Sequence, residues 1–218
     1  MKKIGVIHAT ASAVAPLMSA FHEQAPEVQV LNFVNENFFL HCKEHGGVDK
    51  EILRDFAALC FTAADAGVDA ILVGCSMFCR YTGAVQPFLA IPILAVDDPM
   101  MEEAVRIGTR IGVLATNPMT IDTSVAQLRV HAAQQGKEIR VLTQGVPEAA
   151  AALRQGCPAQ HDQRIAEAGK TLAAQGCEVL LLCQLTMAGA AESMQSIGVP
   201  VITSPSAAVQ ALKEAIGV

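Results

Sequence analysis

Two cysteines stand where this chain can use them for chemistry. One lies in Gly74-Cys75-Ser76, directly after the apolar run that ends at Val73, and the other in Cys183-Gln184-Leu185-Thr186, after a second apolar run. A helix is expected to follow Cys75. A thiol at a helix N-terminus meets the positive end of the helix dipole and open amide donors, which lower its pKa from about 8.5. The same amides, with the Ser76 hydroxyl, can hold a carboxylate. Two opposed thiols suit one reaction in particular. One removes a proton from the carbon beside a carboxylate, the other returns a proton to the opposite face, and preorganised donors meet the developing negative charge. Thr10, Ser12, Thr116 and Thr120 are the candidate donors. Position alone leaves plainer readings open, because a free cysteine is commonly a small core residue and threonines commonly shape turns.

Other chemistry-bearing residues offer less. His8 ends the first apolar run, where it can contact a substrate or hold Cys75 as a thiolate, or serve only the structure. His41 and His45 are four apart beside Cys42, so a helix would show both imidazoles on one face. A metal site needs three or four convergent ligands and the sequence shows no further partner, so no metal is expected. Cys75 and Cys79 lack the spacing of the usual redox pair, and Cys42, Cys60, Cys157 and Cys177 read as structural. His161-Asp162 reads as the start of a helix, with Asp162 near its N-terminus. There is no Gly-x-Gly-x-x-Gly and no Walker loop, hence no phosphate cradle. No Lys follows a strand in the manner of a Schiff-base lysine, and no cofactor is expected.

These residues are positioned by elements that occur twice. Ile4-Gly5-Val6-Ile7-His8-Ala9-Thr10 is echoed by Ile111-Gly112-Val113-Leu114-Ala115-Thr116, and Gly67-Val68-Asp69-Ala70-Ile71-Leu72-Val73 by Gly176-Cys177-Glu178-Val179-Leu180-Leu181-Leu182. Ile91-Pro92-Ile93-Leu94 returns as Val199-Pro200-Val201-Ile202. A period near half the chain means two similar lobes rather than a solenoid. Each phrase is a β-branched apolar run, as expected of strands buried on both faces. Helical patterns lie between them at Lys50–Ala66, Met100–Gly108 and Asp162–Gln175, with Gly67 and Gly176 just past two of them. Such alternation implies parallel sheets with right-handed crossovers. Asp97-Asp98-Pro99 marks the boundary, giving a first lobe of residues 1–97 plus 207–218 and a second of 98–206. The last helix, Pro205–Ile216, is expected to return to the first lobe.

Open parallel sheets bind ligands outside the carboxyl ends of their strands. Two facing lobes would set two such edges around one cleft. The strand-end residues are then His8 to Ser12, Gly74 to Cys79, Thr116 to Thr120 and Cys183 to Thr186.

Composition narrows the function classes. Of the 218 residues, 52% are hydrophobic and only 4% aromatic, so Ala, Val, Ile and Leu must supply most of the core, which suits buried parallel strands under Ala-rich helices. The net charge of −6, with no Lys/Arg stripe, excludes a nucleic-acid partner. Seven scattered cysteines are an odd number, which argues for free thiols in a reducing compartment, the cytoplasm. Lys2 and Lys3, the apolar stretch and Ala13-Val14-Ala15 imitate a signal peptide. Gly5 and His8 interrupt that stretch and it recurs deeper in the chain, so it reads as the first strand. No apolar segment approaches the ~20 residues of a membrane helix.

The paired strand-end cysteines, the duplicated lobes and the Gly-led approach to each cysteine resemble the aspartate/glutamate/hydantoin racemase superfamily. A less characterised branch is matched at Ile4–Thr10, Arg110–Thr116, His161-Asp162 with Ile165-Ala166-Glu167-Ala168, Gln184–Ala188 and Thr203-Ser204-Pro205. The resemblance spans nearly the whole chain. It implies an α/β fold of two pseudo-symmetric Rossmann-like lobes with an inter-lobe active-site cleft, a small carboxylate substrate, no organic cofactor or metal, and a homodimer. Cys75 and Cys183 would be the catalytic pair, and His8, Thr10, Ser76, Thr116, Thr120, Gln184 and Thr186 would contact the substrate. One departure matters. Counting eight residues on from Gly67 reaches Cys75, but the same count from Gly176 reaches Gln184, not Cys183. A one-residue shift on a strand turns a side chain to the opposite face. With Cys183 in the site the chain is expected to be a two-thiol isomerase. Without it, single-thiol decarboxylation or cis–trans isomerisation is favoured, or a carboxylate binder that has lost the chemistry.

Overall fold

An apolar run without alternation fits only where both faces of a sheet are covered, and the first two pairs of duplicated phrases accordingly form the central strands of two sheets, the third pair forming one edge strand of each. In this computed structural model, which describes residues 1–217, the chain divides into two units: Met1–Val96 with the segment from Pro205 onward, and Asp97–Ser204. The first unit runs β1 (Lys3–His8), α1 (Val14–Gln24), β2 (Gln29–Val34), α2 (Asn37–His45), α3 (Lys50–Asp65), β3 (Ala70–Val73), α4 (Ser76–Cys79), α5 (Thr82–Val85) and β4 (Ile93–Ala95). The second runs α6 (Asp98–Ile107), β5 (Arg110–Ala115), α7 (Pro118–Gln134), β6 (Arg140–Gly145), α8 (Pro147–Arg154), α9 (Pro158–Ala174) and β7 (Val179–Leu182). A 3-10 helical stretch, Leu185–Ile197, and β8 (Val201–Thr203) complete it, and the body of α10 (Ser204–Ile216) belongs to the first unit.

Both sheets are four-stranded and parallel, in the orders β2-β1-β3-β4 and β6-β5-β7-β8. The architecture is α/β with two like lobes. The central strands β3 and β7 are buried along their whole length. The outer strands β2 and β6 mix exposed and part-buried positions, which is why no apolar run marks them in the sequence.

The register makes the two sheets comparable residue by residue. Ile7 pairs with Val73 in the first, and Leu114 with Leu182 in the second. One step beyond, the Gly74 amide donates to the Ile7 carbonyl at 2.8 Å and the Cys183 amide to the Leu114 carbonyl at 3.0 Å. Gly74 is therefore equivalent to Cys183, and Cys75 to Gln184.

Glycine allows the helices to reach these sheets. Gly67 and Gly176 take left-handed conformations, φ 72° and 87°, where the chain turns from α3 and α9 toward β3 and β7. The helices pack closely over Gly5 and Gly112. A Cβ at Gly5 would lie 3.2 Å from the Ala63 Cβ, and one at Gly112 only 2.6 Å from Leu180 Cδ2 and 3.1 Å from Cys177 Sγ. The two cores differ in substance. Phe21, Phe38, Phe56 and Phe78 are fully buried in the first unit, whereas Leu114, Leu180, Leu182, Met187 and Met194 fill the second.

Candidate active site

In the first unit β3 delivers its last side chains into the core and then stops. Gly74 is buried, and Cys75 follows in extended conformation, φ −141° and ψ 114°, as the N-cap of α4. Its carbonyl accepts from the amides of Phe78 and Cys79, at 2.9 and 3.2 Å, which closes the turn. Phe78 and Cys79 point into the core, while Cys75 and Ser76 remain half-buried. The helix expected after Cys75 is present but only one turn long. A macrodipole scales with aligned peptide units, so what acts on the thiol is the local amides rather than a long helix.

His8 ends the neighbouring strand β1 and is fully buried. Its Nε2 lies 3.0 Å from Asn32 Oδ1. The Asn32 amide nitrogen is engaged by Met18 Sδ at 3.6 Å, so the Asn32 oxygen is the acceptor and His8 Nε2–H the donor. Burial holds the imidazole below its ordinary pKa, with the Asn32 bond opposing, and the ring is neutral at pH 7. The Nδ1 lone pair is left without a partner among the described residues. It lies over Gly74, where an added Cβ would come within 3.2 Å of it. A glycine before Cys75 thus makes room for an imidazole.

The second unit is built differently at the same rung. Cys183 has no exposed surface, and its sulfur lies 3.9 Å from the Leu181 carbonyl. Burial pushes its thiol far up, the Asp97 carboxylate adding to the effect and Ser124 opposing it. Such a thiol is a poor source of thiolate. Gln184 instead takes the extended strand-end position, φ −148° and ψ 140°. Its Oε1 accepts three bonds, from the Thr116 amide at 2.6 Å, the Thr116 hydroxyl at 2.9 Å and the Asn117 amide at 3.3 Å. Three donors on one atom identify it as the oxygen, so the side chain offers a ligand only its NH₂ group. Gln184 is a fixed donor and no base. Sequence counting had left open which of Cys183 and Gln184 stands at the strand end, and Cys183 is on the core side of that phase.

The hydroxyl residues are distributed among these ends. Thr10 is half-buried and its oxygen accepts from Ser12 Oγ at 3.2 Å. Thr116 is buried and committed to Gln184. Thr120 is buried in the first turn of α7, behind the Asn117 cap, and Thr186 is half-buried in the 3-10 stretch. Two features escaped sequence reasoning. Glu36 Oε1 accepts from the Ala11 amide at 3.2 Å, so a carboxylate of the protein itself occupies a donor of the β1 end. His161 is buried with Nδ1 2.7 Å from Asp162 Oδ1, and Asp162 Oδ2 lies 3.5 Å from where a Cβ of Gly189 would be. This places an imidazole–carboxylate pair against the stretch that follows Gln184, and the adjacency His161-Asp162 was its only signal. Among the described residues, the three side chains able to share an ion are His41, His45 and Asp49, and none is a strand-end residue. No disulfide joins the seven cysteines. No helix of the described residues is long and apolar enough to cross a membrane.

Comparison with known proteins adds to this geometry. Residues 4–212 match the family model of the Asp/Glu/Hydantoin racemases. No curated protein sequence matches the chain significantly. Among solved structures, the aspartate racemase of Picrophilus torridus is similar at TM-score 0.74 and 14% identity, covering 100% of this chain and 95% of the other. An aspartate racemase homologue from Pyrococcus horikoshii OT3 is similar at 0.75 and 17%, covering 100% of both chains. The allantoin racemase of Klebsiella pneumoniae is similar at 0.68 and 19%, covering 100% of this chain and 88% of the other. At these identities the likeness is one of fold.

Proposed function

Because the chain belongs to the Asp/Glu/hydantoin racemase family, a family of isomerases for amino acids and related small carboxylates, we propose that Cys75 moves the proton on the carbon beside its substrate's carboxylate. The observation that carries this reading is the contrast in exposure. Of the two strand-end thiols, Cys75 keeps surface and Cys183 keeps none.

The chemistry follows from the residues in place. The Cys75 thiolate takes the α-proton, the S–H bond forms as the C–H bond breaks, and the electron pair spreads into the carboxylate as an enediolate. Return of the proton from the Cys75 S–H gives exchange with retention, whereas inversion takes its proton from solvent water on the opposite face, Cys183 being buried. That charge must meet fixed donors, the largest single contribution such a site makes. Ser76 and Thr10 are the hydroxyl candidates in the unit that carries Cys75. In the other unit Thr186 and the Gln184 NH₂ remain as donors, the Thr116 hydroxyl being committed to Gln184. His8, with burial holding its pKa below the ordinary imidazole value and its Nδ1 over Gly74, next in sequence to Cys75, is the candidate base for the thiol proton. No cofactor is required by these steps.

A second reading is favoured by one observation, the donor-only Gln184 at the position equivalent to Cys75. An enzyme with a single thiol protonates or attacks from one face. It is then a decarboxylase, returning the Cys75 proton to the carbanion left by departing CO₂, or a cis–trans isomerase, adding sulfur to a double bond and expelling it after rotation.

One experiment separates these. The protein is incubated in D₂O with a panel of amino acids, hydantoin-type ring compounds, malonate-type diacids and cis-unsaturated diacids, and products are followed by NMR and chiral chromatography. Racemised, α-deuterated product supports the first reading. CO₂ loss or alkene isomerisation supports the second, and Cys75→Ala abolishes turnover in either. Binding without turnover or exchange leaves only a carboxylate binder. The same proposal sets the thiols in the cytoplasm and the chain in a homodimer, which light scattering checks by mass.

A further inference from the structure

The sequence stops at two imidazoles on α2, and the fold adds a third ligand. Gly46 and Gly47, φ 75° and 151°, turn the chain so that Asp49 becomes the N-cap of α3. Asp49 Oδ1 accepts from the amides of Glu51 and Ile52, both at 3.0 Å, which fixes the carboxylate plane. Its other oxygen faces α2. Oδ2 lies 2.8 Å from His41 Nε2 and 3.9 Å from His45 Nδ1, and the two rings stack with centroids 4.2 Å apart and planes 8° apart. The three ligand atoms all lie within 4.8 Å of one another. We propose that His41, His45 and Asp49 form a site for one divalent d-block cation of the Zn²⁺ class, joining the end of α2 to the start of α3.

Ligands sharing a tetrahedral ion at ~2.0 Å stand roughly 3.3 Å apart, and the spacings seen need only small side-chain adjustments. Hydrogen bonding alone does not account for the cluster. Oδ2 satisfies His41, but His45 Nδ1, 3.9 Å from the same oxygen, is beyond hydrogen-bond range of it. One dication suits the two imidazole lone pairs and the carboxylate together. The cation would sit beyond the C-terminal turn of α2, where the helix dipole favours positive charge. Two imidazoles with one carboxylate select Zn²⁺, Cu²⁺ or Ni²⁺ over Mg²⁺ and Ca²⁺. His45 and Asp49 are exposed, so an ion can enter and water can complete its shell.

The site has a mechanical consequence. Phe38 of α2 and Phe56 of α3 pack on Phe78 of α4, with ring centroids 4.9 and 4.8 Å away. Phe78 is three residues past Cys75, so an ion that braces the α2–α3 turn also braces the helix behind the thiol.

Titration calorimetry with Zn²⁺ on the full chain tests this. Wild type is expected to take up one ion, with a Kd on the order of micromolar. His45→Ala and Asp49→Asn should each weaken it by about tenfold or more, the latter sparing the cap because Asn caps as well as Asp. Cys75→Ser should leave the affinity unchanged. Saturating Zn²⁺ should raise Tm in wild type and not in His45→Ala, and should shift the His45 ring resonances. Absence of uptake overturns the proposal, as does binding that survives His45→Ala and Asp49→Asn. Binding lost with Cys75→Ser would assign the ion to the thiol and overturn it equally.

Discussion

The two units share strand order and register but exchange three side chains at the edge where a ligand would bind. In the first, His8, Gly74 and Cys75 stand together; at the equivalent places in the second are Ala115, Cys183 and Gln184. The exchange is one of volume. The His8 imidazole occupies the space a Cβ at residue 74 would need, 3.2 Å away. In the second unit the small Ala115 stands at the place of His8, and Cys183, fully buried, at the place of Gly74. A phase difference of one residue decides which thiol faces the core and which the solvent edge. The cores differ in kind as well. All eight Phe and the one Tyr precede residue 97, so the first unit is braced by aromatic rings and the second by Leu, Met and Ala. Duplicated architecture therefore does not duplicate side chains: one half carries a half-buried thiol and a buried imidazole at its strand ends, the other a buried thiol and an amide.

Substitutions that break this contrast should be felt in graded order. Cys75→Ala should lower kcat by about 10³-fold or more, the scale of losing a proton-transferring group, while Cys183→Ala stays within about twofold of wild type in the same D₂O exchange assay. Gln184→Ala removes the acceptor of Thr116 and Asn117 and the donor NH₂, and should cost about 10²-fold in kcat/KM, near 2.7 kcal/mol. Packing comes next. Gly112→Ala pushes a Cβ against Leu180 and Cys177 and should destabilise by about 1–3 kcal/mol in urea titrations. Gly5→Ala, whose nearest neighbour is 3.2 Å away, should cost less than Gly112→Ala. The smallest effect is on pH dependence. The folded pKa of His8 lies below its unfolded value, so its contribution is present above the ordinary imidazole value near 6.5 and is lost as pH falls below it. Denaturation midpoints should drop from pH 7.5 to pH 5.5, and His8→Asn should flatten that slope.

Much of this contrast is legible in the residues themselves, and the reasons for the remainder are physical. The apolar phrases identified β1, β3, β5 and β7 because strands buried on both faces carry uninterrupted β-branched runs. The edge strands β2 and β6 were not legible, since Gln29–Val34 and Arg140–Gly145 are neither continuous nor cleanly alternating. Counting from Gly67 and Gly176 exposed the Cys75–Gln184 equivalence, yet spacing alone does not say where a strand stops. The hydrogen bond from the Cys183 amide to Leu114 does. Asp49 was missed as a partner for His41 and His45 because the Gly46–Gly47 turn that folds it back leaves no pattern of its own. His161-Asp162 was visible as a helix start, but its burial depends on the packing of α9, which no local signal reports.

Thiol chemistry confined to the first unit is the central claim, and native-state alkylation tests it most directly. The folded protein is exposed to iodoacetamide at neutral pH and the modification of each cysteine is followed with time by peptide mass spectrometry. Cys75 should be alkylated steadily, with Cys183 slower by about 100-fold or more because a fully buried thiol reacts only on opening. Alkylation of Cys183 at a rate matching Cys75 would contradict the account and restore a two-thiol enzyme.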